Sequence, residues 1–231
     1  MSKEIIKTLK KTELFSKLPD KSLLNLAEKA VEVNLKRDGV LFMAGEEAKG
    51  LFVIAEGSIR GFKTAIDGRE QVIFVERAPA TIAEVPTFDD GAYFSTTCAE
   101  EETKLYLIEK NHIRAVCREQ PEFALKALEL MARRVRSCVA LIESLALHEI
   151  SERLVRFLFL EAHHRGERKR NGEIHLKLNL TRAQIAARIG TVREVVSRNL
   201  KRLEHENLIR FDKDILIIPN RQALKALAGE E

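Results

Sequence analysis

The sequence predicts an α+β chain. Three observations lead there: many short β-type runs between Val31 and Ile108, a helical repeat without Gly or Pro from Pro121 to Gly166, and two short helices broken by Gly190. The parts read as an N-terminal β-roll of the jelly-roll kind over 1–120, a long dimerisation helix over 121–147, and a C-terminal winged helix-turn-helix over 148–231.

Residues 1–30 carry Ile5, Ile6 and Leu9, then Leu23, Leu24, Leu26 and Ala27, at helical spacing, with Leu18-Pro19-Asp20 as the break. The runs Val31–Leu35, Val40–Met43, Leu51–Ala55, Ser58–Lys63, Gln71–Val75, Thr96–Ala99 and Lys104–Ile108 follow, with glycines between or beside them. Strands this short and this closely spaced suit a closed or double-sheet β fold.

In the long helix Ala124, Leu128, Met131, Val135, Cys138, Ile142 and Leu145 alternate steps of four and three, a heptad seam that calls for a partner helix. A second line, Leu125, Ala132, Val139 and Ala146, covers the adjacent face and is expected to pack on the β domain, leaving the seam for a second copy of the chain. Near Leu147–Ser151 the seam ends and a new helix carries Leu154, Val155, Leu158 and Phe159. A polar turn over His163–Gly172, a strand Ile174–Leu178, the two short helices and a strand pair, Ile209–Phe211 with Ile215–Ile218, complete the winged unit.

Composition narrows the class. Hydrophobic residues make up 45% and charged ones 32% of 231 residues, enough for a core. No apolar run reaches the roughly 18 residues that span a bilayer, and the charged N-terminus lacks a signal segment. Three scattered cysteines fit a reducing cytoplasm. From Glu149 onward there are 17 Lys and Arg against 12 Asp and Glu, whereas the rest has 22 against 23. The positive excess therefore lies with the two-helix segment, as phosphate attraction requires. No H-E-x-x-H, G-x-S-x-G or Gly-rich phosphate loop points to an enzyme.

The stretch Asn179–Glu204 is the most informative. Thr181 with Gln184, and Thr191 with Glu194, have capping-box spacing at the starts of the two helices. In the second helix, expected over 191–205, Val192, Val196, Leu200 and Leu203 form an apolar stripe. Arg193, Glu194, Ser197, Arg198 and Lys201 share the other side. Forked donors, an acceptor and a small hydroxyl on one exposed face suit base edges in a major groove. Arg193, Glu194, Ser197 and Arg198 are the expected base contacts; Thr181, Arg182 and Lys201 are the expected phosphate contacts.

Three segments carry a family resemblance. They are Ala44–Ile59 (AGEEAKGLFVIAEGSI), Met131–Val135 (MARRV) and Arg193–Arg198 (REVVSR). In this order they resemble the β-roll, dimerisation helix and recognition helix of the cyclic-AMP receptor protein / fumarate-nitrate reduction regulator (CRP/FNR) family of bacterial transcription regulators. The resemblance covers nearly the whole chain. It implies a homodimer on a pseudo-palindromic DNA site, with half-sites roughly 34 Å apart, that activates transcription through RNA polymerase. Glu194, Ser197 and Arg198 resemble the branch reading TTGAT, and Arg193 the branch reading TGTGA, so a TGA-containing half-site is expected.

The resemblance also locates an effector pocket at Ala83, Glu84, Val85, Phe94, Ser95, Cys138 and Val139. The cyclic-AMP branch has Gly-Glu-Leu and then Arg-Ser there. Here Ala83 replaces the glycine and Phe94 the phosphate-binding arginine. Cys138 and Val139, expected to face the adenine, offer no hydroxyl. An anionic phosphate without its cation is costly to bury, which argues against cyclic AMP. The cluster of the fumarate-nitrate branch needs N-terminal cysteines, and the first cysteine is Cys98, which argues against iron–sulfur. A haem-dependent gas or redox sensor, with His112, His148, Cys98 or Cys117 as ligands, stays open. So do an organic effector against Val85, Phe88, Tyr93 and Phe94, and a sensory interaction module without specific DNA binding.

Overall fold

A computed structural model describes residues 2–227, the side chain of Arg221 apart. Two helices, α1 (Ser2–Lys11) and α2 (Asp20–Lys29), lead into eight strands: β1 (Val31–Leu35), β2 (Val40–Phe42), β3 (Gly50–Glu56), β4 (Ser58–Thr64), β5 (Glu70–Arg77), β6 (Ala80–Ile82), β7 (Thr96–Ala99) and β8 (Thr103–Glu109). A short helix, α3 (Glu84–Asp89), interrupts them between β6 and β7. Helices α4 (Lys110–Glu119) and α5 (Pro121–Leu147) follow.

The strands form two four-stranded antiparallel sheets, in the orders β1-β8-β3-β6 and β2-β7-β4-β5. The apolar run in β3 has a simple cause. Successive side chains of a strand point to opposite faces. Phe52 and Ile54 enter the core with Phe42, Ile59, Ile82, Ala99 and Leu105. Leu51 and Val53 join Ile5, Leu9, Phe15, Leu23, Leu26 and Phe123 in a second core. Both faces of β3 are buried, so it cannot alternate polar and apolar residues.

The line of α5 that packs on this β unit is neither of those expected. Phe123 and Ala127 are buried and Leu130 packs beside them; Arg134 and Ser137 continue the same four-and-three spacing. Leu125 and Val139 of the second line are 54% and 57% exposed, as are Leu128, Val135 and Ile142 of the seam at 62–65%. The expectation that the second line serves the β domain is thus corrected: Leu125 and Val139 face outward, as do Leu128, Val135 and Ile142, and together they form a broad apolar surface.

Contacts divide the molecule into two compact units. Of the described residues, one unit holds those up to Lys63 and Ile73–Val139; the other holds Thr64–Val72 and those from Ala140 on. The second contains α6 (Ile150–Arg165), β9 (Glu167–Arg168), β10 (Ile174–Lys177), α7 (Arg182–Ile189), α8 (Arg193–His205), β11 (Arg210–Asp212), β12 (Ile215–Ile218) and α9 (Arg221–Leu227). Its sheet order is β11-β12-β10-β9. Leu154, Leu158, Ile185, Ile189, Val196, Leu200, Leu203 and Leu216 share one core. Among the described residues no helix is long and apolar enough to cross a membrane.

Candidate nucleic-acid interface

The start of α7 is fixed reciprocally. The Thr181 hydroxyl accepts from the Gln184 backbone N–H at 3.2 Å, and the Thr181 N–H donates to the Gln184 side chain at 2.9 Å. The helix ends at Gly190, whose φ of +69° is left-handed, a conformation glycine adopts without the Cβ penalty. A methyl there would also lie 2.5 Å from Leu145 Cδ2.

The start of α8 differs from expectation. Val192 is its N-cap, no side chain caps it, and the helix begins at Arg193. The Thr191–Glu194 capping box does not form, because Thr191 lies one residue too early for its hydroxyl to meet the free N–H groups of the first turn. Val192, expected in the apolar stripe, is 38% exposed, while Val196, Leu200 and Leu203 are buried as expected. Freed from capping, Glu194 projects outward.

Arg193, Glu194, Arg198 and Lys201 are exposed and Ser197 is half-buried. They occupy adjacent positions on α8, because residues three and four apart are neighbours on a helix. Among the described residues no hydrogen bond or ion pair engages these five side chains. Thr181 is exposed and Arg182 half-buried at the start of α7. The structure thus brings the expected reading residues onto one side of α8 with their hydrogen-bonding groups unspent.

A separate site lies in the first unit: a cavity of about 320 Å³ between β5, α3, the segment before β7 and α5. Ala83, Glu84, Val85, Phe94, Ser95 and Cys138 line it, as expected of the effector pocket. Val139 does not. It points outward on α5, and the serine one turn after Arg134, Ser137, lines the cavity with Cys138. The helix therefore does offer a hydroxyl, contrary to expectation. Phe88 is also elsewhere, in a groove with Cys117, Leu128 and Met131.

The largest departure from the sequence expectations is Arg134. Its guanidinium donates to the Thr81 carbonyl at 2.9 Å and to Glu84 Oε1 at 3.3 Å, and it pairs with Glu76. Glu84, only 5% exposed, also accepts from the Thr81 hydroxyl at 2.6 Å. Burial pushes its carboxyl above the usual glutamate range, with Arg134 and Thr81 acting in the opposite direction. Ala83 holds a φ of +66° at the N-cap of α3, where a non-glycine residue is strained. One sequence signal could have found Arg134: it continues the line of Phe123, Ala127 and Leu130.

None of the candidate haem ligands His112, His148, Cys98 and Cys117 lines this cavity. Cys98 is buried in β7, His112 and Cys117 are on α4, and burial raises the Cys117 thiol. His148 belongs to the other unit, where its Nδ1 lies 3.2 Å from Arg156. Among the described residues no group of three or more His, Cys, Asp or Glu is placed to hold a metal ion.

Two family models match, and between them they span most of the chain: the cyclic nucleotide-binding domain over 32–120 and the Crp-like helix-turn-helix domain over 152–227. The chain belongs to the CRP/FNR family of transcription regulators. This regulator is 23% identical to a CRP-like cAMP-activated global transcriptional regulator of Mycobacterium tuberculosis, over 94% of its own length and 96% of the relative's. A crp/fnr-family transcriptional regulator from Eubacterium rectale has the same fold, with a TM-score of 0.77 at 21% identity, covering 94% of this chain and 98% of that one. The c-di-GMP responsive global regulator CLP of Xanthomonas campestris matches with a TM-score of 0.76 at 16% identity, over 87% of this chain and all of the other.

Proposed function

We propose that two copies of this regulator bind one pseudo-palindromic DNA site with TGA-containing half-sites, under control of an effector other than cyclic AMP. The observation that carries the reading is the unengaged face of α8. A helix surface holding Arg193, Glu194, Ser197 and Arg198 with no internal partners has donors and acceptors left for base edges. Arg198 grips guanine O6 and N7, Glu194 accepts from a cytosine amino group, and Thr181, Arg182 and Lys201 set register on phosphates. Arg193 joins the base contacts, and Ser197 lets the helix approach closely.

The exposed apolar surface of α5 supports the homodimer: Leu128, Val135 and Ile142 in one heptad seam are too much apolar area to leave in water. Pairing through this seam presents two copies of α8 to neighbouring major grooves. Control by something other than cyclic AMP is supported by the cavity, where Phe94 stands at the expected cation position and Arg134 is occupied by Glu76 and Glu84. Transcription would then be activated by contact with RNA polymerase in the cytoplasm, where cysteine thiols stay reduced.

Competition binding tests this reading. A duplex with two inverted TGA half-sites one helical turn apart is compared with a scrambled duplex across a salt series. The expected result is a preference of about 10³ or more for the palindrome, with affinity falling as salt rises. Equal affinity for both duplexes would contradict it.

A further inference from the structure

The chemistry of the cavity defines what it accepts. Phe42, Ile73, Phe74, Ile82, Val85 and Phe94 supply apolar walls, and Phe74 and Phe94 meet edge to face with centroids 6.3 Å apart. Its charged residues are Glu76, Glu84 and Arg134. Arg134 already spends its donors on both carboxylates and the Thr81 carbonyl. An anion entering here would find no unspent cation and would face two acidic side chains. The uncommitted polar groups are small: the hydroxyls of Ser95 and Ser137 and the thiol of Cys138.

We propose that this cavity binds an uncharged, largely aromatic small molecule that carries a single hydrogen-bonding group. Its rings lie against Phe74 and Phe94, and its polar group meets Ser95 or Ser137. The volume of about 320 Å³ suits such a body, since an apolar cavity of ~150 Å³ already binds benzene. Ser137 and Cys138 place the ligand directly on α5, whose outward side carries the apolar seam, and Arg134 ties that same helix to β5 and α3. Filling the cavity therefore acts on the helix proposed to pair the two chains. Calling the ligand an effector rests on the regulator reading; the chemical class of the ligand does not.

The test uses the full chain without DNA and N-phenyl-1-naphthylamine, an uncharged naphthyl fluorophore, as the probe. The expected result is saturable binding of one probe per chain that a large excess of cyclic AMP does not reverse. Phe94→Arg, which places a charge at the mouth, and Val85→Trp, which fills it, should each weaken binding by about tenfold or more. Phe94 and Val85 are 44% and 39% exposed, so either variant should keep its fold, verified by thermal melting. If one does not, the other decides. Absence of saturable binding, displacement of the probe by cyclic AMP, or wild-type affinity in the folded variants would overturn the proposal. Probe binding in a chain that ignores the palindrome would leave the ligand class standing and remove the regulator reading.

Discussion

At the scale of single residues, Arg198 and Glu84 illustrate two opposite uses of charge. Arg198 is exposed and unpaired, so its cost of folding is small and its guanidinium is available to an outside partner. Replacing it by alanine should lower affinity for the TGA palindrome by about 1–3 kcal/mol while leaving the melting temperature unchanged. A titration of wild type and Arg198→Ala on the same duplex checks this. Glu84 is buried, and its carboxyl is held above the ordinary 4.5. The native state therefore keeps the proton longer than the unfolded chain does. The stability that this provides is complete below pH 4.5 and is lost as pH rises through the elevated value. Glu84→Gln has no proton to lose, so its stability relative to wild type should increase as pH rises from 4.5. Denaturant unfolding of both proteins across that range measures the difference, and parallel curves would contradict it. Of these two residues the sequence exposed Arg198 fully, through its place on an amphipathic helix. It exposed the position of Glu84 but not its partner. Arg134, flanked on its helix by Arg133 and Arg136, reads as one more solvated charge, and nothing local shows that Glu76 from β5 will meet it.

At the scale of elements, strong periodicity was legible and short or doubly buried segments were not. β1 and β7 have the bounds their β-branched runs suggest, and α5 extends over the whole heptad repeat. β6 has only three residues and α4 buries only Ile113 and Val116, too few to make a stripe stand out. On α5 three apolar lines compete. Choosing the one that packs on the β unit requires knowing which residues lie opposite, and that is tertiary information. The consequence is an outward surface wide enough to pair helices. Ile142 is 65% exposed on it. Ile142→Asp places like charges across a two-fold seam and should convert dimers to monomers, as measured by sedimentation equilibrium. A variant that remains dimeric would show that pairing uses another surface.

At the scale of the whole molecule, the β unit, the long helix and the winged unit were all legible. Each has its own hydrophobic period: two for strands, three and a half for the seam, and the broken helix pair at Gly190. The lining of the cavity was legible only in part, because it is assembled from β5, α3, the segment before β7 and α5, which are distant in sequence. What joins these parts into one function is the claim that two chains present two reading helices to one DNA site. Mass measurement of the complex by sedimentation, combined with hydroxyl-radical footprinting on the TGA palindrome, tests that claim most directly. The expected result is two chains per duplex and two protected patches on one face of the DNA, about 34 Å apart. One chain per duplex, or a single protected patch, would contradict it.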